Sequence, residues 1–186
     1  DLLVGLRPKD FDVATNATPE QVKGLFRRAF IIGRRFRIVH VVYGRGREHE
    51  VIEVSTFRAY LDNAAAEQVA GNEKTSKSEL AGMQHAVDST GRVLRDNVWG
   101  PMEEDAVRRD FTINAMYYDP ETQVVVDYHK GIQDAKKRTL RMIGDPAVRY
   151  REDPVRIIRA VRFAAKLSPL GFTLDTKTAA PLVQSQ

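Results

Sequence analysis

Lys9-Asp10-Phe11-Asp12-Val13-Ala14-Thr15-Asn16-Ala17 is the stretch on which the fold turns. Polar and apolar residues alternate from Asp10 to Val13, as they do along a half-buried strand. A helix start follows at once: Thr18 can cap, Pro19 fits the first turn and Gln21 completes a capping box. Val22, Leu25 and Phe26 then give that helix an apolar stripe. Downstream, Phe36 to Tyr43 and Val51 to Phe57 are β-rich runs joined by Gly44-Arg45-Gly46-Arg47, which reads as a hairpin turn. The order strand, helix, strand, strand predicts an α/β (α+β) fold, a small mixed sheet with flanking helices.

Residues 61–95 change character: Ala, Gly, Ser, Lys and Glu dominate from 61 to 91 with no sustained period, which predicts a long mobile loop. Beyond it, Glu103 to Arg109 reads as a short helix, and Ile113 to Tyr118 with Val124 to Tyr128 as a second hairpin around Asp119-Pro120. Asp153-Pro154 opens a helix running to about Leu167. It has Ile157, Ile158, Val161, Ala164 and Ala165 on one face and Arg156, Arg159, Arg162 and Lys166 on another.

The 186 residues, 42% hydrophobic and 29% charged, are enough for one large domain or one domain and the start of a second. No apolar run approaches the ~20 residues of a membrane span, and no export signal opens the chain. Cysteine is absent, which excludes disulfides, thiolate chemistry and cysteine zinc sites and fits a reducing cytoplasm. A net charge of +4, with arginines in bunches at 27–28, 34–37, 108–109 and 149–162, points to a polyanion. The sequence begins at Asp1 without Met and stops at Gln186 inside a plausible helix, so both ends read as fragment boundaries.

Residues two apart in a strand project from one face, so Asp10 and Asp12 would aim two carboxylates at one spot. Like charges that close repel unless a proton or cation sits between them, and hard oxygens select Mg²⁺. A lone D-x-D is more often the sequence of a solvated turn. Glu53, the only charge in Val51-Ile52-Glu53-Val54, joins the cluster if its strand neighbours that of Asp12. Asp110 follows Arg108-Arg109, as a helix-end ion pair would or as an acid beside a phosphate site. Gly33 lets backbone approach closely, and Arg34-Arg35 beside it can grip a triphosphate. Asp153 and Arg156, three apart on one helix, share a face; they are either a capping ion pair or a donor–acceptor pair for a base edge.

Several of these stretches, in order, resemble the tRNA nucleotidyltransferase and poly(A) polymerase family: residues 9–17; Glu53-Val54-Ser55-Thr56-Phe57-Arg58; Glu104-Asp105; Arg108-Arg109-Asp110-Phe111-Thr112-Ile113-Asn114; and Arg151-Glu152-Asp153-Pro154 on to Arg159-Ala160-Val161-Arg162-Phe163. Ile31-Ile32-Gly33-Arg34-Arg35-Phe36-Arg37-Ile38-Val39-His40-Val41 resembles the bacterial poly(A) polymerase version, which CCA-adding relatives replace with a sequence lacking the paired arginines and the histidine.

The resemblance implies a polymerase-beta-like nucleotidyltransferase head over 1–143 and the start of a helical neck over 144–186. It implies transfer of AMP from ATP to RNA 3′ ends with release of pyrophosphate, in RNA processing, with two Mg²⁺ ions. Asp10 and Asp12 would hold metal, with Asp110 as the third functional carboxylate and Glu53 as competitor for that place. Gly33, Arg34, Arg35, Arg108, Arg109 and Asn114 would bind nucleotide, Asp153 and Arg156 would select the base, and Arg159 and Arg162 would face RNA phosphate. Of the family's Gly-Gly-x-Val-Arg-Asp element only Asp1 is present, so the phosphate grip would be incomplete. CCA addition to tRNA and a catalytically idle RNA-binding role are the rival expectations.

Overall fold

The computed structural model describes residues 1–33, 36–60, 67–68, 85–87, 93–96 and 98–183. They form two compact units, one of Pro8–Asp105 and one of Asp1–Arg7 with Ala106–Gln186.

The first unit is built on β1 (Asp12–Thr15), α1 (Pro19–Leu25), β2 (Ala29–Ile32), β3 (Ile38–Tyr43) and β4 (Glu50–Thr56), in sheet order β1-β4-β3-β2. The β3–β4 hairpin forms as expected, but Ala29–Ile32 adds a strand antiparallel to β3 that the sequence pattern did not reveal. Four apolar-leaning residues without alternation give too little period to read. β1 joins β4 in parallel, and the Phe57 amide extends the ladder to the Thr15 carbonyl at 2.8 Å.

α1 closes one face of this sheet. Its capping box is in place: Thr18 Oγ1 accepts from the Gln21 amide and Gln21 Oε1 accepts from the Thr18 amide. Val22 is buried with Ala29, Val39, Val41 and Val54. The expected stripe stops there, because α1 ends at Leu25 and leaves that side chain 75% exposed. Arg37 donates to Glu20 of α1, and that hydrogen bond holds the Glu20 carboxyl below its usual range.

Within 61–95, expected as one irregular loop, three short strands pair with each other: β5 (Glu67–Gln68), β6 (His85–Val87) and β7 (Val93–Asp96). The rest of that stretch lies outside the described residues. α2 (Met102–Val107) follows, and its acids hold the chain leaving β4. Buried Asp105 accepts from the Arg58 amide at 2.9 Å, and Glu104 accepts from the Tyr60 amide at 3.2 Å.

The second unit holds the expected hairpin as β8 (Met116–Asp119) and β9 (Val124–Asp127), then α3 (Gly131–Lys136). β10 (Thr139–Leu140), α4 (Pro146–Glu152), α5 (Val155–Leu167), β11 (Thr173–Leu174) and α6 (Thr176–Val183) complete it, with β10 parallel to β11. Phe111, Leu140, Met142, Tyr150 and Ala160 form its core, Phe111 meeting Phe163 edge-on at 5.7 Å.

α5 buries a stripe that overlaps the expected one only at Ile157 and Ala164. Ala160 and Leu167 are buried with Ile157, Phe163 and Ala164 partly so, whereas Ile158 is 69% and Val161 60% exposed. Both stripes keep helical spacing, one residue apart, so periodicity alone does not choose between them. No helix among the described residues is long and apolar enough to cross a membrane.

Candidate functional site

Ladder register decides what the open face of the first sheet carries. Asp12 pairs with Glu53, Glu53 with His40, and His40 with Phe30. Paired residues of adjacent strands project to the same side. Asp12, Glu53, His40 and Phe30 therefore form one row, on the side opposite buried Val39, Val41 and Val54. β4 is thus the neighbour of β1, and Asp12 and Glu53 face the same way. Within the row, His40 Nε2 and Glu53 Oε1 are 3.1 Å apart.

Asp10 lies upstream of the strand, whose pairing begins at Asp12, so alternation along β1 does not fix its direction. Asp10 and Asp12 are both exposed. These oxygens fit a hard cation such as Mg²⁺, which keeps waters and completes its shell from substrate phosphates. Among the described residues no three acids or histidines close a cage of their own.

Gly33 has φ 97°, and a Cβ there would lie 1.8 Å from the Phe36 carbonyl oxygen, so a tight turn at this point requires glycine. Arg34 and Arg35 lie outside the described residues. The Arg58 guanidinium, buried, stacks 4.3 Å from the Phe36 ring centroid.

The remaining expected residues belong to the second unit. Asp110 is buried; its Oδ1 accepts from the Phe111 amide at 2.9 Å and its Oδ2 meets Arg159. Arg159 is thus engaged with Asp110, while Arg162 is exposed. Arg109 bonds the Tyr117 hydroxyl at 3.2 Å, and Asn114 is half-buried in a 3₁₀ turn. Arg156 donates to Glu152 at 3.1 Å and to the carbonyls of Arg149 and Arg108 at 3.1 and 3.2 Å. Asp153 Oδ1 accepts from the Val155 amide at 3.2 Å. Arg156, three residues on, forms an ion pair with Glu152.

Arg149 was not singled out by sequence, yet it is buried and donates to the carbonyls of Val107 and Arg109 at 3.1 and 2.6 Å. Arg149, Arg156 and Arg159 between them hold four consecutive residues, 107–110. The only sequence signal for this is the repeated arginine in 149–162.

A mixed sheet with Asp12 and Glu53 paired on one face, in a chain that also holds a mainly helical unit, defines a fold shared with known proteins. A family model for the poly A polymerase head domain matches residues 1–141, and the chain belongs to that family. Poly(A) polymerase I of Haemophilus influenzae is 50% identical over 168 residues, 90% of this chain and 33% of that protein. Poly(A) polymerase I of Escherichia coli O6:H1 is 49% identical over 182 residues, 98% of this chain and 35% of that protein. The Bacillus stearothermophilus CCA-adding enzyme, solved in complex with CTP, superposes with a TM-score of 0.70 at 31% identity, covering 100% of this chain and 36% of that one. The chain spans about a third of the length of the curated relatives it matches.

Proposed function

We propose that this chain is the catalytic part of an enzyme that adds AMP from ATP to RNA 3′ ends without a template. The observation that carries the proposal is the acidic pair, Asp12 beside Glu53 on an open sheet face, in a chain about half identical to Poly(A) polymerase I of two bacteria. The RNA 3′-oxygen forms a bond to the α-phosphorus of ATP, the bond from that phosphorus to the bridging oxygen breaks, pyrophosphate leaves, and the hydroxyl proton passes to solvent.

Asp10 and Asp12 hold Mg²⁺ in this reading, with Asp110 as the third functional carboxylate and Glu53, opposite Asp12 in the ladder, as the competitor for that place. Magnesium, when bound, lowers the pKa of the attacking hydroxyl and neutralises the leaving group. Gly33, Arg34, Arg35, Arg108, Arg109 and Asn114 bind the nucleotide. Asp153 and Arg156 select adenine, and Arg159 and Arg162 serve RNA phosphate, Arg159 on release from Asp110. The head runs over 1–143 and the helical neck begins at 144. The setting is cytoplasmic RNA processing.

The superposition on a CCA-adding enzyme favours one second reading, CCA addition to tRNA. Incubating full-length protein with RNA and either ATP or CTP separates them. Long A tails from ATP on unstructured RNA are the expected result; CTP incorporation onto tRNA without A tails overturns it.

A further inference from the structure

We propose that His40 is a positioning residue for this reaction, holding the Glu53 carboxylate in place beside Asp12. The inference rests on the proposed metal-site reading of Asp12 and deepens it. β3 lies between β2 and β4 in the sheet, so the backbone at His40 is fixed by ladders on both sides. Its ring stands in the row between exposed Phe30 and Glu53, and its Nε2–H donates to Glu53 Oε1 at 3.1 Å.

Glu53 needs such a tether. Its side chain is long and half exposed, with side-chain relative exposure of 52%, and ordering a glutamate costs about 1.5–2 kcal/mol of rotamer freedom. Directly across the parallel ladder stands Asp12, whose like charge pushes Glu53 away. A donor from the neighbouring strand both fixes the rotamer and draws off part of the negative charge. His40 thereby ties the segment from Ile31 to Val41 to the acids on β1 and β4.

A cross-strand pair this exposed contributes roughly 0–1 kcal/mol to stability, so a merely structural role leaves the catalytic and metal-binding constants unchanged. The test compares His40→Leu, which removes the donor, with His40→Gln, which keeps one, in the full-length protein. The readouts are kcat and KM for ATP, the thermal midpoint, and Mn²⁺ affinity by electron paramagnetic resonance in the absence of ATP. His40→Leu should lower kcat and weaken Mn²⁺ binding by about tenfold, the size of a lost hydrogen bond to a charged group, with KM for ATP within about twofold. His40→Gln should recover most of both.

Wild-type kcat and Mn²⁺ affinity in His40→Leu overturn the proposal, and so does a His40→Gln protein as impaired as His40→Leu. Asp12→Ala run alongside separates the two ideas. Retained turnover there removes the metal reading and the proposal with it, whereas an inactive Asp12→Ala beside a fully active His40→Leu removes the His40 proposal alone.

Discussion

Asp10 and Asp12 differ in how they are held, yet the proposed metal role predicts the same outcome for a mutation at either. Asp12 is fixed by its ladder position opposite Glu53, while Asp10 sits in the approach to the strand. Asp10→Ala and Asp12→Ala should each abolish AMP incorporation while RNA affinity, measured by filter binding, stays within about threefold, because metal loss removes transition-state stabilisation and not uniform binding. Gly33 is a separate case. With φ 97° and no room for a Cβ against the Phe36 carbonyl, Gly33→Ala should destabilise the protein by about 1–3 kcal/mol in urea denaturation. Asp12, Glu53 and Gly33 could be proposed from the sequence because their chemistry depends on residue type, and the structure adds that Asp12 and Glu53 are ladder partners and that Gly33 has φ 97°. His40 and Arg149 stood in the same text unassigned, since their partners, Glu53 and the carbonyls of Val107 and Arg109, are brought to them by folding.

Elements show the same division. The start of α1 was readable to the residue because a capping box is a local device, whereas its end, β2 and the buried stripe of α5 are chosen by what packs against them. α4 and α6 offer a test of such packing. The Tyr150 hydroxyl, buried, donates to the Thr178 carbonyl at 2.9 Å, and burial raises its pKa above the ordinary 10.0. At a pH between the unfolded and folded values, the unfolded chain has lost this proton and the folded chain keeps it. The stabilisation is therefore complete below pH 10.0 and is lost as pH rises through the folded value. Urea denaturation at rising alkaline pH should show this decline. Tyr150→Phe should flatten it, and at neutral pH should cost about 1 kcal/mol for the lost hydrogen bond.

For the whole molecule the sequence conveyed class more readily than arrangement. Motif order pointed to the family, and composition to a polyanionic partner, because neither depends on tertiary contacts. How the two compact units divide the chain is not written in any local pattern: the first seven residues belong with 106–186. The arginine bunches carry a prediction at this scale. RNA binding by the full-length protein should weaken linearly in a plot of log affinity against log salt, with a slope near −0.7 per phosphate contacted on single strands. Neutralising Arg162, exposed on α5, should make that slope shallower by about one contact's worth, with a similar loss across RNA sequences.

The parallel ladder between β1 and β4 also has a consequence in time. Asp12 and Glu53 are far apart along the chain, and a parallel pairing cannot be reached by a tight turn; the intervening helix and two strands must be accommodated first. The β3–β4 hairpin closes a much shorter loop, so its entropy cost is met earlier. Contact order therefore predicts that Glu53 and His40 pair before Asp12 joins the row. On that order, Asp12 should meet a Glu53 carboxylate that His40 has already engaged, and truncating His40 should slow the last step of folding in stopped-flow refolding.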